Sequence, residues 1–259
     1  MNLWYSLLIA LSMYSKIPVP TVEWTKPRMK YAMCFFPAVG AVCGAALLLW
    51  FDFARRRGLG GGAAGLLGTC IPVLITGGIH MDGFLDTLDA RSSYGNREKR
   101  LEILKDPHTG AFAIIGACVY FLLYAGCLIQ LFEAGSGEEG RKGIAAFCLI
   151  FPLERALSGL SVICFPCAKD SGLAHMFSDS AAKRITGFVL LVWIGGISGL
   201  LLDIDWKTGL LLLAAGLGVF LYYRRMSKRE FGGITGDLAG WFLQVFELVL
   251  LAVLALGKL

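Results

Sequence analysis

The residues best suited to chemistry lie in one polar stretch, His80-Met81-Asp82-Gly83-Phe84-Leu85-Asp86-Thr87-Leu88-Asp89-Ala90-Arg91. The aspartates are spaced i, i+4 and i+7, which places them within about 60° of arc on one helix face. Anions so close repel each other unless a cation lies between them. No lysine follows any of them at i+4 to pair it. The stretch directly follows the apolar run ending Thr76-Gly77-Gly78-Ile79, so the carboxylates sit at or near a membrane surface. Carboxylates there are costly and functional by default. Hard oxygen donors without thiolate or a histidine cluster favour Mg²⁺ or Mn²⁺. Magnesium keeps part of its shell for water and substrate phosphates, which suits phosphoryl transfer or pyrophosphate handling. The competing reading is a solvated acidic face. His80, about 160° from Asp82 on a helix, stays open as a base, a phosphate donor or a neutral cap.

Two further polar segments supply matching parts. The first continues to Gly110 and holds Arg97, Arg100, Lys105, Asp106 and His108. The second reads Arg224-Arg225-Met226-Ser227-Lys228-Arg229-Glu230-Phe231-Gly232-Gly233-Ile234-Thr235-Gly236-Asp237. Glycines let backbone N–H groups approach an anion, and a following helix N-terminus favours negative charge. Gly232, Gly233, Thr235 and Asp237 would form a phosphate- or metal-edge element, or a plain turn capped by Asp237. Glu154, Arg155 and Glu247 fall inside apolar runs, where charge is expensive unless paired. Glu154 and Arg155 are adjacent, so their side chains should not face each other on a helix. Arg155 is expected to reach another helix or a bound anion, with interhelical ion pairing as the equal alternative.

The elements that must position these groups are membrane helices. Of 259 residues, 56% are hydrophobic and 17% charged, with a mean hydropathy of +0.67. A soluble domain carries about 25% charged residues. Seven apolar runs approach the roughly 20 residues that span a bilayer: Tyr31–Phe51, Gly58–Ile79, Ala111–Phe132, Gly143–Pro166, Ile185–Leu202, Thr208–Tyr223 and Ile234–Gly257. Asn2–Ser15 is apolar but short, either an eighth span or an interfacial helix. It lacks the features of a cleaved signal peptide. With no strand alternation, the expected fold is an all-α, polytopic transmembrane bundle forming one membrane domain over residues 1–259. The eight cysteines imply no disulfide framework, and Cys164 and Cys167 are read as packing at a helix end.

Alternate loops differ in charge. Sixteen Lys and Arg fall in segments 16–30, 80–110, 167–184 and 224–233, and seven, among them Arg55, Arg56, Arg57 and Lys258, on the other side. The positive-inside rule puts the first set, and the aspartates with it, in the cytoplasm. Arg55–Arg57 is the discordant feature. No nucleic-acid partner is expected, and a homo-oligomer is left open.

At these residues the chain resembles the cobalamin synthase family, the adenosylcobinamide-GDP ribazoletransferases of bacterial and archaeal cell membranes. His80-x-Asp82-Gly83-x-x-Asp86-Thr87-x-Asp89 looks like the family's H-x-D-G-x-x-D-T-x-D signature. Ser15-Lys16-Ile17-Pro18-Val19-Pro20 resembles its N-terminal segment, and Phe36-Pro37-x-x-Gly40-x-x-x-Gly44 one of its helices. Lys105-Asp106 with Gly110, and Gly232-Gly233-x-Thr235-Gly236-Asp237, match two later elements. Lys16, Ala90 and Pro107 depart from the usual arginine, glycine and serine. The resemblance implies joining of adenosylcobinamide-GDP to α-ribazole, or its 5′-phosphate, with release of GMP. It also implies Mg²⁺ on Asp82, Asp86 and Asp89, with one of them or His80 as base. Lys16, Arg100, Lys105 and Arg155 would contact substrate, and Asp106 and Asp237, on the substrate side, would complete the metal site or orient its waters.

Two other readings fit some of the same residues. A CDP-alcohol phosphotransferase also spaces aspartates on a membrane helix, but its D-G-x-x-A-R is interrupted here by Asp86 and Thr87. A cation transporter would carry charges near mid-span in several helices and traces of internal repeats.

Overall fold

The computed structural model describes residues 2–135 and 137–257; Lys258, counted above on the outer side, lies outside them. The described residues form twelve α-helices. In chain order these are α1 (Asn2–Tyr14), α2 (Lys26–Met29), α3 (Ala32–Arg56), α4 (Gly61–Thr76), α5 (Ile79–Ser92), α6 (Arg97–Ile103), α7 (Ala111–Ala134), α8 (Glu138–Cys164), α9 (Leu173–Ser180), α10 (Lys183–Ile204), α11 (Trp206–Met226) and α12 (Gly236–Leu256). A π-helical turn, Ser227–Phe231, follows α11. The extended backbone that pairs is a single parallel bridge between Cys167 and Ile234.

Six helices, α3, α7, α8, α10, α11 and α12, are long and apolar enough to cross a bilayer. They correspond to six of the seven apolar runs. The seventh run, Gly58–Ile79, becomes α4, which ends where Gly77 and Gly78 take φ of 66° and 79°. That left-handed pair turns the chain through 96° into α5. A side chain with a Cβ is strained in this region, so two successive glycines are what permit the bend. α5 carries three aspartates and an arginine in 14 residues. Too polar to cross hydrocarbon on its own, it forms with α4 a bent pair that together is long and apolar enough to count as a seventh, broken span or a re-entrant segment. α1, with 13 residues, is about 20 Å long and too short to cross a bilayer alone. It packs on α3, and its Ser6 hydroxyl donates to the Arg28 carbonyl at 2.5 Å.

Some helices run past the apolar stretches into polar turns. α3 continues to Arg56 with an Asp52–Arg56 pair at 2.8 Å, and α8 starts at Glu138, which pairs with Lys142 at 2.9 Å. Both are i, i+4 pairs of the kind that support an exposed helical turn. The Arg55–Arg57 cluster also finds local partners, since Arg55 lies over the Phe132 ring and Arg57 over Phe53.

The most extensive helix packing is between α3 and α8, then between α5 and α12. On α3, Gly40 and Gly44 face the backbone carbonyls of Phe151 and Cys148, so closely that neither position has room for a methyl group. This is how membrane helices gain contact without a hydrophobic driving force between them. Of α8's apolar stretch 78% is buried, against 22% for α10 and for α11, so α8 is the centre of the bundle. Leu49, Leu74, Leu122, Phe188, Leu191 and Leu210 point outward as a lipid-facing surface.

The four basic segments meet on one face of the bundle. Lys16 N–H donates to Ile75 O at 2.7 Å, Ala182 N–H to Lys30 O at 3.1 Å, and Ala168 N–H to Ile234 O at 2.9 Å. Lys26 pairs with Asp179 at 2.7 Å and Lys169 Nζ donates to Leu101 O at 3.0 Å. This end holds α5, α6, α9, the π-helical turn and the start of α12.

Candidate active site

α5 and the first turn of α12 form the site. Gly83 of α5 lies directly against α12: a Cβ there would sit 2.7 Å from Asp237 Cα and 2.8 Å from its carbonyl oxygen. The absent side chain lets the carboxylates of two helices approach. The negative charges of Asp82, Asp237 and Asp89 all act on Asp86. Burial first, then these neighbours in that order, pushes the Asp86 carboxyl up to about 7. Asp82 is exposed, and Asp86 and Asp237 are half-buried. Among the described residues, no group of three His, Cys, Asp or Glu side chains is closed enough to hold a metal ion alone. The donor chemistry nevertheless fits magnesium, which uses one or two carboxylates and takes its other ligands from water and phosphate.

Asp89 has a second attachment. Its Oδ2 accepts from Gly110 N–H at 2.6 Å and its Oδ1 from Ala113 N–H at 2.9 Å. These are donors that the start of α7 leaves without intrahelical partners, so Asp89 ties α5 to the entry of the next span.

His80 is on the opposite side of α5, as its helical position requires. Its ring lies 6.0 Å from that of Tyr14 and 5.9 Å from that of Phe36, and it is 5% exposed. It is buried among these rings, turned away from the carboxylate face.

The remaining predicted residues fall into three groups. Lys16 is exposed, and its aliphatic stem lies across Gly77 at the α4–α5 bend. Gly232, with φ 80°, and Gly233 form the turn before α12, and Ile234 N–H donates to Pro166 O at 2.9 Å. Thr235, not Asp237, caps α12: its hydroxyl accepts from Leu238 N–H at 3.2 Å. A threonine at this position reaches the free N–H groups of the first turn, which leaves Asp237 inside that turn and facing α5. Arg100 Nη1 donates to Glu230 at 2.9 Å. Lys105 is exposed, and Asp106 turns to His108, accepting from its N–H at 3.0 Å and lying 2.7 Å from its Nδ1.

Arg155 reaches another helix, as expected, with Nη2 4.0 Å from Cys43 Sγ of α3, but its closest carboxylate is not the expected one. The side chain is fully buried and pairs with its own neighbour Glu154, although adjacent helical residues point in different directions. The guanidinium is long enough to fold back, with Nη1 also reaching Phe151 O at 3.1 Å. In the bundle interior the alternative is an unpaired charge. Glu247 of α12 adds its charge to this pair and accepts from Tyr124 at 3.5 Å.

Sequence reasoning missed Lys169 and Glu230. Burial and the charge of Lys105 lower the Lys169 pKa, while the carboxylate of Asp237 opposes them. The Cys167–Ile234 bridge brings the Lys169 segment to the turn before α12, and no sequence spacing encodes it.

A sequence profile described as cobalamin-5-phosphate synthase matches residues 6–255. A protein of Lachnoclostridium phytofermentans named adenosylcobinamide-GDP ribazoletransferase is 46% identical over 94% of this chain and 90% of its own. Proteins of the same name from Pseudomonas entomophila and Clostridium perfringens are 32% and 31% identical, covering 96% and 99% of this chain and 97% and 99% of theirs. No solved structure matches the chain. With the match running from residue 6 to residue 255, the chain belongs to the cobalamin-5-phosphate synthase family.

Proposed function

We propose that the chain joins adenosylcobinamide-GDP to α-ribazole or its 5′-phosphate, releasing GMP, at the carboxylate cluster where α5 meets α12. One observation carries this reading: Asp82, Asp86 and Asp237 are held together across a glycine contact, with Lys16, Lys105 and Lys169 on the same face of the bundle. Asp82, Asp86 and Asp237 would hold Mg²⁺, with Asp89 locking the helix that carries two of them. Bound Mg²⁺ would neutralise charge on the pyrophosphate and on the departing GMP. A ribose hydroxyl attacks the phosphorus that bears the cobinamide side chain, and the bond to the GMP oxygen breaks. Because His80 faces away, the hydroxyl proton passes to a carboxylate of the cluster. Lys16 and Lys105, with Lys169, steady phosphate oxygens. Arg155, paired inside the bundle, supports the helices under the site. The excess of basic residues at this end supports an orientation with the site on the cytoplasmic side of the cell membrane.

The test is turnover by purified protein in lipid with adenosylcobinamide-GDP, either form of ribazole, and Mg²⁺. Joined corrinoid and GMP in equal amounts, dependent on Mg²⁺, are expected. Folded protein that makes neither would move the assignment to another phosphoryl acceptor.

A further inference from the structure

At the end of α5 that carries Arg91 is a pocket of about 660 Å³, whose polar lining is Arg91, Ser92, Arg97, Arg100, Arg229 and Glu230. Four arginines from α5, α6 and the π-helical turn meet there with one carboxylate. Glu230 takes Arg91 Nε at 3.1 Å and Arg100 Nη1 at 2.9 Å. Arg97 and Arg229 are exposed and have no carboxylate partner among the described residues. Four guanidiniums against one carboxylate leave a net charge of +3 facing an open space. Like charges so gathered repel each other, and an anion with several acceptor oxygens relieves that repulsion. Guanidinium groups hold phosphate oxygens in pairs, and the volume is in the range of small-ligand sites, about 300–1,000 Å³.

Position identifies the anion further. Arg91 is five residues beyond Asp86 on one helix, a rise of about 7.5 Å along the axis. On the other side the Arg97 guanidinium lies against Gly232, in the same turn that leads to Asp237. The pocket thus lies about 140° round α5 from Asp86, and what it shares with the carboxylate cluster is the turn from Gly232 to Asp237. We infer that the arginine pocket holds the phosphomonoester of a nucleotide whose other end, or whose scissile bond, lies at the aspartates. This rests on the transferase reading above. A phosphomonoester carries a charge of about −1.5 to −2 at neutral pH, which the pocket's excess charge balances. That chemistry has two sources, the 5′-phosphate of an incoming ribazole phosphate and the departing GMP.

The test uses Arg229→Gln, and Arg97→Gln as a second variant, in nanodiscs of neutral lipid. GMP and inorganic phosphate binding are measured directly, and KM is measured with α-ribazole and with its 5′-phosphate. Phosphate-bearing ligands should weaken by about tenfold per variant, with the thermal midpoint retained. A KM increase confined to the phosphorylated acceptor assigns the pocket to the acceptor. Weaker GMP binding with unchanged acceptor KM assigns it to the leaving nucleotide. Wild-type affinity for GMP, phosphate and both acceptors in both variants would overturn the inference. GMP and phosphate binding can be read even if the unmodified protein forms no joined product, so failure of the transferase reading remains distinct.

Discussion

Asp89 and Gly110 are bound across the loop that separates α5 from α7: Asp89 Oδ2 accepts the Gly110 N–H at 2.6 Å, while Oδ1 takes Ala113 N–H at 2.9 Å. One carboxylate thus closes the start of a span and fixes the helix that bears the other acids. Asp89→Ala leaves two backbone donors without their acceptor and should lower stability by about 1–2 kcal/mol. Asp89→Asn keeps one acceptor oxygen and should lose less. Thermal unfolding of the two variants in lipid or detergent checks the order. Equal midpoints for wild type and Asp89→Ala would refute the capping role.

Asp82 is the exposed acid of the cluster, and its removal leaves no buried group unpaired. Asp82→Asn should therefore retain the wild-type unfolding midpoint while turnover falls by about 10²-fold or more. Raising the Mg²⁺ concentration should recover part of the loss if the change weakens ion binding. Steady-state rates across a Mg²⁺ titration decide it, and wild-type turnover in this variant would remove Asp82 from the metal site.

Asp86 gives the protein a pH signature. Its carboxyl is raised from 3.8 to about 7 by burial and by Asp82, Asp237 and Asp89. A folded-state value above the unfolded one means that the folded state binds the proton more tightly. Its contribution to stability is full below the unfolded value and is lost as pH rises through the folded one. In chelator, the unfolding midpoint should therefore decline as pH rises from 3.8 toward 7. Asp86→Asn should flatten that decline. A slope unchanged in the variant would show that burial and the neighbouring carboxylates do not raise Asp86.

The apolar runs made six of the spans legible, because a helix that satisfies its own backbone in lipid must be long and apolar. The carboxylate face of Asp82, Asp86 and Asp89 was legible for a similar reason, since helical period alone sets it. The partners of those acids were not. Asp237 comes from 154 residues beyond Gly83 and Lys169 from a connecting segment, and their approach depends on tertiary packing. The Arg155–Glu154 pair was misread because helical direction was applied to a side chain long enough to escape it.

The Gly83 contact is testable by adding one methyl group. In Gly83→Ala the new Cβ would meet backbone of α12 at 2.7 Å, not the end of a flexible side chain. The two helices must separate, at a cost of about 1–3 kcal/mol. Separation moves Asp237 from Asp86, so turnover should fall further than the stability change alone accounts for. Comparing unfolding midpoint with kcat in the same preparation separates the two effects. Full activity in Gly83→Ala would mean that Asp237 is not part of the working site.

Arg155 and Glu154 are each fully buried, so the effect of losing one depends on what remains. Arg155→Met leaves Glu154 and Glu247 without their cation. Breaking a buried pair from one side costs about 3–5 kcal/mol, and the bundle should be strongly destabilised. The double variant Arg155→Met with Glu154→Gln removes the unpaired carboxylate as well and should recover much of the loss. If Arg155 only supports the bundle, activity should return together with the unfolding midpoint in the double variant. Recovered stability with activity still absent would instead show that the guanidinium touches substrate.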